Sequence, residues 1–413
     1  LVATREHERV LELHHRHASP ATAPRAVVAR QRSARAPAAG VEILTEEAMR
    51  AATEERDRPV GSAHDRGEFE ALLLTAPSKL EFVDFPEPKP AADEVVVKVH
   101  ACGICGSDIH GWDGSTGRRH PPLIMGHEAS GEIVAIGPQV KKWRAGDRVT
   151  FDSTIYCGAC GFCRSGQVNL CESRRVVGVS PAEYKQHGAF AERLALPDRI
   201  LYRLPDNLPY DQAAMVEPVS IAVHAVQRTK IAPDSTAVVV GSGMIGLLVI
   251  QALRWAGAKR IVAIDLADNR LALASRLGAT HTINSGRTDA AAEIARLTGG
   301  HGADTAFEVV GLTPTLNLAL AALKRGGTCV TVGNLSPKTQ DFPLQAVVTR
   351  ELTITGTCGS AGEYPLCLDL IARGVIDVKP MIETVAPLAE GAGWFEKLSA
   401  KDGGKYMKVI LRP

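Results

Sequence analysis

The stretch VVVGSGMIG (residues 238–246) places a glycine-rich turn between a β-branched apolar segment and an apolar helical segment. Its glycines have the spacing G-x-G-x-x-G, and Asp265 follows nineteen residues after the last of them. In this context Gly241 permits a tight turn, Gly243 lets the backbone approach a pyrophosphate, and Gly246 lets helix and strand pack closely. The stretch therefore predicts a dinucleotide-binding βαβ unit, because strand, helix and acidic residue accompany the glycines.

Asp265 stands at the end of the next strand-like segment and indicates which dinucleotide is bound. A carboxylate there accepts hydrogen bonds from both ribose hydroxyls and repels a 2′-phosphate. We therefore expect NAD rather than NADP. Arg270 either lies over the adenosine or is a solvated charge on a helix face.

Around the glycine-rich turn the chain divides into two patterns. From about residue 221 strand-like and helical segments alternate, which predicts parallel βαβ units. Residues 69 to about 220 are rich in β-branched strands and glycine turns, and their loops carry Cys and His. We expect an α/β chain in which a β-rich domain (69–222 and 363–413) is interrupted by a doubly wound parallel-sheet domain (223–362).

The composition of the 413 residues excludes several classes of protein. The formal charge is +1, with 45% hydrophobic, 23% charged and 5% aromatic residues. This balance provides neither the basic field nor the aromatic surface typical of nucleic-acid binding. No apolar stretch is long enough for a membrane span. We therefore expect a small-molecule ligand, with no nucleic-acid or membrane partner.

Residues 1–68 differ from the rest because they contain eleven Arg but no Cys, Lys or aromatic residue. Their Ala-, Pro- and Arg-rich part (17–40) lacks acidic residues, which is typical of disorder. We expect a disordered or atypical extension that is dispensable for chemistry, and a cytoplasmic protein. The alternative is an organelle transit peptide.

The four cysteines Cys157, Cys160, Cys163 and Cys171 have the spacing C-x2-C-x2-C-x7-C. Four thiolates at this spacing suit a closed tetrahedral zinc site, which leaves no open coordination position and is therefore structural. An iron–sulfur cluster is the alternative, but the bacterial ferredoxin pattern has its fourth Cys three residues on and then Pro. The sequence favours zinc in a lobe at about 152–175.

A second set of candidate ligands is spread along the chain: Cys105, His127, Glu128 and Glu217. Taken singly, each has an ordinary structural interpretation, such as a buried thiol or a carboxylate at a helix start. Together they supply the mixed donors of a zinc with an exchangeable position. Ser107 and His110 offer a route for a substrate proton. A Lewis-acid metal beside a hydride acceptor suits alcohol oxidation.

These residues lie in runs that resemble the zinc-dependent medium-chain alcohol dehydrogenases over residues 69–413. The matching runs, besides the glycine loop and the Cys quartet, are CGICGSDIH (102–110), GHEASGEIVAIG (126–137), HGAFAERLALP (187–197) and VEPVSIAVHA (216–225). The resemblance implies a GroES-like β-domain interrupted by a Rossmann domain. It also implies two zinc ions per chain, NAD, and a homodimer or homotetramer joined through the Rossmann edges.

The resemblance also implies roles for individual residues. Cys105, His127, Glu128 and Glu217 resemble the catalytic zinc ligands and Ser107 and His110 the proton relay, with Asp108 orienting the ligands. The positions that resemble cofactor contacts are Gly241, Gly243, Ile245, Gly246, Asp265, Arg270, Val332, Gly333, Asn334, Thr357 and Cys358. Cys102, Cys329 and Cys367 match no ligand position.

Glu217-Pro218 places the resemblance near the sorbitol and L-iditol dehydrogenases, so we expect oxidation of a secondary alcohol of a polyol to a ketone. The alternatives are L-threonine, galactitol-1-phosphate or a vicinal diol as substrate, and a catalytically silent NAD-binding structural protein. Gly111 and Gly359 depart from the Tyr and Arg that line the polyol site in animal-type sorbitol dehydrogenases. These departures leave the substrate open.

Overall fold

The computed structural model describes residues 67–333, 341–400 and 403–413. The predicted extension at 1–68 therefore lies outside the described residues, except for Gly67 and Glu68. Glu68 already begins the first strand. Asn334, predicted as a cofactor contact, also lies outside the described part of the chain.

The first part of the described chain is mainly β-structure. Its strands are β1 (Glu68–Ala76), β2 (Lys79–Pro86), β3 (Glu94–Gly103), β4 (Leu123–Ile124), β5 (Glu128–Ile136), β6 (Arg148–Phe151), β7 (Thr154–Ile155), β8 (Arg175–Val176), β9 (Arg193–Pro197) and β10 (Leu201–Arg203). Its helices are α1 (Gly106–Trp112), α2 (Gly161–Arg164), α3 (Tyr210–Ala213) and α4 (Val216–Gln227). Apolar residues of these strands, such as Leu72, Val97 and Phe151, share one buried core.

The second part alternates strand and helix. Its strands are β11 (Thr236–Val240), β12 (Arg260–Asp265), β13 (His281–Asn284), β14 (Ala303–Glu308), β15 (Leu323–Thr331) and β16 (Thr353–Gly356). Its helices are α5 (Met244–Trp255), α6 (Asp268–Arg276), α7 (Ala290–Leu297), α8 (Thr313–Ala322) and α9 (Leu344–Thr349). The chain then continues through α10 (Tyr364–Ala372), β17 (Ile382–Pro387), α11 (Gly391–Ser399) and β18 (Lys408–Arg412). Single 3-10 turns lie at Val168–Leu170, Asp198–Ile200, Lys379–Met381, Leu388–Glu390 and Gly403–Lys405.

The six strands β11 to β16 form one parallel sheet in the order β13-β12-β11-β14-β15-β16. All five residues of β11 are buried, as expected for a central parallel strand covered on both faces. Alternate side chains of β11 belong to two different hydrophobic cores, one on each face of the sheet. Val239 packs in the first core with Leu247 of α5. Val238 packs in the other with Leu320 of α8. Helices therefore cover both faces, which confirms the predicted doubly wound Rossmann fold.

The chain returns to the first domain after β16. Strand β18 pairs antiparallel with β3, and β17 pairs with β18, so both extend the sheet β10-β6-β5-β3-β18-β17, in which β9 also pairs with β3. The β-rich domain is thus interrupted by the parallel sheet, as the fold class predicted. The predicted boundary between residues 222 and 223 falls inside α4, which packs in the same core as α5 and α10.

No helix among the described residues is long and apolar enough to cross a membrane.

Candidate active site

Three strand ends meet where the predicted metal ligands lie. The end of β3 is paired with the start of β5, so that Gly103 faces Glu128. The same glycine faces Ile410 of β18 on its other side. A Cβ on Gly103 would lie 2.4 Å from Glu128 Oε2 and 3.3 Å from Lys408 Cδ. Glycine is therefore required here because two charged side chains cross its Cα position.

The loop after β3 carries Cys105, which forms the N-cap of α1. Its sulfur accepts a hydrogen bond from the Ser107 amide at 3.5 Å, and its own amide donates to Asp108 Oδ2 at 3.2 Å. Ligand atoms of Cys105, His127 and Glu128 all lie within 4.8 Å of one another. One thiol, one imidazole and one carboxylate at this spacing fit the donor set of a zinc ion with an open position.

His127 is buried, and its Nδ1 lies 3.2 Å from Asp108 Oδ1. Although burial opposes the charged form, the Asp108 carboxylate raises the pKa of His127 well above its ordinary value. Burial also opposes ionisation of Asp108, but His127 and Arg119 lower its pKa to about 2. The contact on Nδ1 leaves Nε2 as the ring nitrogen for a metal, the arrangement usual for histidine ligands.

Glu128 is paired with a lysine that the sequence analysis missed. Lys408 Nζ donates to Glu128 Oε2 at 2.5 Å and to the Ile104 carbonyl at 3.1 Å, and both side chains are almost fully buried. Because a buried carboxylate needs a compensating partner, the Lys408 ammonium supplies the charge that pairs with Glu128 inside the protein. The available signal was a lysine in the otherwise apolar run MKVIL (407–411).

Glu217 lies in the first turn of α4, outside the group formed by Cys105, His127 and Glu128. Burial and the nearby Glu128 charge raise the pKa of Glu217 to about 7, and the His127 charge opposes this shift. The carboxylate is thus close enough to sense both residues. Glu217, predicted as a fourth ligand, is therefore not among the residues whose ligand atoms lie within 4.8 Å of one another.

The proposed proton relay begins at the exposed end of α1. Ser107 is exposed, and its Oγ lies 3.5 Å from His127 Nε2. His110 is exposed three residues further along the same helix, a spacing that puts both on one helix face. Arg119, which the sequence analysis did not single out, donates from Nη2 to Ser107 Oγ and to Asp108 Oδ1, each at 3.3 Å.

The cysteine quartet forms a second, separate group whose sulfurs lie within 4.8 Å of one another. Backbone amides of Ala159 and Cys160 donate to Cys157 and lower its pKa, and amides of Cys163 and Glu172 lower that of Cys160 to about 6. Burial and the neighbouring Cys160 raise the pKa of Cys163 to about 12. Four sulfurs this close together suit a divalent cation, which would stabilise all four as thiolates.

The segment with the quartet is joined to the loop after β16. Asn169 Nδ2 donates to the Cys358 carbonyl at 2.8 Å, and Ser360 Oγ donates to Asp152 Oδ2 at 3.1 Å. Asp152 Oδ1 accepts the Thr154 amide at 2.8 Å. Burial raises the pKa of Asp152 to about 6, although these two donors oppose the shift.

The predicted cofactor residues lie at the carboxyl ends of the parallel strands. Gly241 has φ +101°, and a Cβ on Gly246 would lie 1.9 Å from the Gly241 carbonyl oxygen. Gly243 is the N-cap of α5 and faces open space, so the first amides of the helix are accessible. Ile245 lies in the first turn of the helix. This turn fits a pyrophosphate on the positive end of a helix.

Asp265 ends β12, and its Oδ2 accepts the Ser242 amide of the glycine turn at 2.7 Å. Its Oδ1 accepts the Leu266 and Ala267 amides. Arg270 Nη1 lies 3.9 Å from the same carboxylate, and Arg270 Nη2 donates to the Gly404 carbonyl. The acidic residue therefore reaches the glycine turn, as a ribose-binding carboxylate must.

The remaining predicted cofactor positions follow neighbouring strands. Val332 and Gly333 come after β15 and donate from their amides to the Glu308 carbonyl at 2.8 and 3.1 Å. Thr357 comes after β16, and its amide donates to the Thr331 carbonyl at 3.2 Å. Cys358 is exposed next to it. By contrast, Cys102, Cys329 and Cys367 are buried and belong to neither cysteine-containing ligand group.

Two protein-family models match the chain. An alcohol dehydrogenase GroES-like domain covers residues 91–206, and a zinc-binding dehydrogenase domain covers residues 245–373. The first includes both ligand groups except Glu217, and the second includes most of the parallel sheet.

Individual proteins match over the length of the described domains. The sorbitol dehydrogenase of Bacillus subtilis (strain 168) is 36% identical over 350 residues, which is 84% of this chain and 97% of that protein. A zinc-binding dehydrogenase of Sinorhizobium meliloti 1021 bound to NADP has a TM-score of 0.78 at 30% identity, over 84% of this chain and 99% of that chain. The alcohol dehydrogenase rspB of Escherichia coli CFT073, complexed with NADH, has a TM-score of 0.77 at 28% identity, over 84% and 100%. The chain therefore belongs to the zinc-dependent medium-chain alcohol dehydrogenases, in the branch that contains sorbitol dehydrogenase.

Proposed function

We propose that this protein is a zinc-dependent, NAD-linked dehydrogenase that oxidises a secondary alcohol of a polyol to a ketone. The observation that carries the proposal is the convergence of Cys105, His127 and Glu128 within 4.8 Å, in a chain that also carries the glycine turn with Asp265. An open metal site and a dinucleotide site are the two components that metal-assisted alcohol oxidation uses.

Two zinc ions per chain follow from the two ligand groups. Cys105, His127 and Glu128 would hold the catalytic ion, with Glu217 proposed as a further carboxylate ligand. Cys157, Cys160, Cys163 and Cys171 would hold the structural ion. When bound, the catalytic zinc would supply a Lewis acid that lowers the pKa of a substrate hydroxyl.

Side chains of the protein are proposed to carry the proton of the substrate hydroxyl to water. Ser107 Oγ, exposed beside His127, is proposed to accept the substrate proton while it passes its own hydroxyl proton onward. His110 lies one helical turn further on and is exposed, so it is placed to pass the proton to water. Asp108 holds His127 through Nδ1 and thereby keeps Nε2 aimed at the ligand group.

The similar structures include one with NADP and one with NADH, so they do not distinguish the two cofactors. The proposed preference for NAD therefore rests on Asp265. A carboxylate that reaches the Ser242 amide would repel a 2′-phosphate at the same place. The preference for NAD over NADP in kcat/KM is the direct measurement, and replacing Asp265→Ser should reduce that preference. A wild-type enzyme that prefers NADP would contradict the assignment.

The substrate is proposed as a sugar alcohol, with L-threonine, galactitol-1-phosphate and a vicinal diol as alternatives. The departures at Gly111 and Gly359 concern the substrate side of the site. A Cβ on Gly359 would lie 3.7 Å from Asn169 Cβ, so the quartet segment lies against this loop. The site thus differs in shape from one lined by Tyr and Arg at these positions.

A substrate panel at equal enzyme concentration tests the proposal. Sorbitol, L-iditol, galactitol-1-phosphate, L-threonine and 2,3-butanediol are compared by NAD reduction. We expect the highest kcat/KM with a polyol, and a flat response to all polyols would contradict the sugar-alcohol assignment. Metal analysis tests the alternative of a catalytically silent structural protein, because such a protein has no need of a second zinc ion per chain.

We also propose a cytoplasmic homodimer or homotetramer joined through the edge of the parallel sheet. Strand β16 is the outer strand of that sheet. Large apolar side chains are exposed in this strand, at Ile354, and in the preceding helix α9, at Leu344 and Val348. An exposed strand edge with apolar neighbours favours pairing with a second copy. Light scattering should give a mass of at least two chains per particle. The substitution Ile354→Lys should shift the association equilibrium toward the monomer.

A further inference from the structure

The segment that carries Arg119 is fixed on both sides by one buried residue, Ser180. The Ser180 amide donates to the Arg118 carbonyl at 3.0 Å, and the His120 amide donates to the Ser180 carbonyl at 3.1 Å. Ser180 Oγ also donates to the His120 carbonyl at 2.7 Å. The backbone of Arg119 therefore has a fixed position, although its neighbours Arg118 and His120 are exposed.

Arg119 itself turns inward. Its side chain is 6% exposed, and Nη2 lies between Ser107 Oγ and Asp108 Oδ1, at 3.3 Å from each. A Cβ on Gly111 would lie 2.0 Å from Arg119 Cδ and 2.6 Å from Nε. Any side chain at position 111 would thus displace the guanidinium. The glycine that departs from the sorbitol-dehydrogenase pattern makes room for this arginine.

The two partners of Arg119 have different tasks. Asp108 Oδ1 is the same oxygen that lies 3.2 Å from His127 Nδ1, so it orients a metal ligand. Ser107 Oγ lies at the start of the proton relay, 3.5 Å from His127 Nε2. Because a guanidinium only donates hydrogen bonds, Ser107 Oγ accepts from Arg119, which restricts the directions in which its own proton can point.

We propose that Arg119 is a positioning residue that fixes the Ser107 hydroxyl and the Asp108 carboxylate relative to each other, and that Gly111 is required for it. The inference rests on the proposed function, since the relay is part of it. Burial of a guanidinium costs free energy that an apolar side chain would not, and a carboxylate partner alone seldom offsets it. Both hydrogen bonds come from Nη2, whose two N–H groups are held in the plane of the guanidinium, so the directions to Ser107 Oγ and Asp108 Oδ1 are set together.

The test compares Arg119→Ala, Arg119→Lys, Gly111→Ala and the double variant of Ala at 119 and 111 with the wild type. We expect kcat to fall roughly 10- to 100-fold in each single variant, with KM for NAD unchanged. Because both residues act through one contact, the double variant should be no slower than Arg119→Ala alone. Millimolar guanidinium chloride should restore part of the activity of Arg119→Ala. Arg118→Ala, at the exposed neighbour, is the matched control and should behave as wild type.

A second readout does not depend on turnover. Competition with a zinc chelator should show weaker binding of the catalytic ion in Arg119→Ala, by up to about tenfold, with no change in Arg118→Ala. If the wild type oxidises no alcohol, the proposed function is wrong, and this comparison still tests Arg119. Multiplicative losses in the double variant, no rescue by guanidinium, or wild-type zinc affinity in Arg119→Ala would each contradict the role assigned to Arg119.

Discussion

The two ligand groups differ in how the chain assembles them. The cysteine quartet comes from fifteen consecutive residues and is organised by backbone amides that donate to its sulfurs. The other group combines Cys105, His127 directly before β5, Glu128 at the start of β5, and charges supplied by Asp108 and Lys408. A local cluster needs only its own loop, whereas the dispersed cluster needs the correct pairing of β3, β5 and β18. The four thiols of the first group suit a closed metal site, whereas the mixed donors of the second suit a metal with an open coordination position.

The largest expected effect separates the two groups by function. Cys105→Ser removes the thiolate ligand, so metal content should fall from two ions to one per chain. Turnover should fall by about a thousandfold or more, because several kcal/mol of transition-state stabilisation are lost. Metal analysis and NAD reduction measure both values. Cys102→Ala, at a buried thiol outside the group, is the control. Unchanged turnover in Cys105→Ser would contradict the assignment of Cys105 as a ligand of the catalytic zinc.

The corresponding change in the quartet should act on stability. Cys160→Ser leaves three thiols, and metal binding to such a lobe is part of its folding free energy. We expect the free energy of unfolding to fall by several kcal/mol, on the order of the largest single-residue effects. Denaturant unfolding measures it, with the exposed thiol variant Cys358→Ser as control. Full stability with one zinc per chain would show that the lobe folds without its metal.

Asp152 tests how the quartet segment is attached. Its folded-state pKa of about 6 lies above the ordinary value of 3.8, so the native protein loses stability as pH rises from about 4 to 6. Asp152→Asn can still accept the Thr154 amide and donate to Ser360 Oγ. At pH 7.5 we expect this variant to be more stable by roughly 3 kcal/mol at most, with the difference shrinking toward pH 4.

Unfolding of both proteins at several pH values measures that difference, and metal loss at low pH, which affects both, cancels in the comparison. If the difference in the free energy of unfolding does not change with pH, ionisation of the Asp152 carboxylate is not its cause.

The smallest effect concerns the contact between the quartet segment and the loop after β16, where Thr357 and Cys358 are predicted cofactor contacts. Asn169→Ala removes the hydrogen bond from Nδ2 to the Cys358 carbonyl, a contact of 2.8 Å. Since a hydrogen bond contributes about 1 kcal/mol, KM for NAD should rise about fivefold while metal content stays the same. Asn207→Ala, which removes a bond to the Ala372 carbonyl, is the control. An unchanged KM would show that the loop holds its position alone.

The sequence was most informative where neighbours along the chain make the structure. The glycine turn, the quartet and the N-cap cysteine of α1 are local, and local spacing indicates their chemistry. The doubly wound sheet was also predicted, because its buried strands alternate with helices. Lys408 and Arg119 were missed, since each acts on a residue brought near only by tertiary packing. For Glu128 and Lys408 the separation is 280 residues.

The pairing of β18 with β3 also has a consequence for the order in which the enzyme matures. Lys408 and its strand follow the whole parallel sheet along the chain. During synthesis, Glu128 is therefore made long before Lys408, whose ammonium pairs with it in the folded protein. Bringing together segments of such long sequence separation carries a larger loop-closure cost. The pairing of β18 with β3, and with it the contact of Lys408 with Glu128, can be completed only after the segments of the parallel sheet have been synthesised.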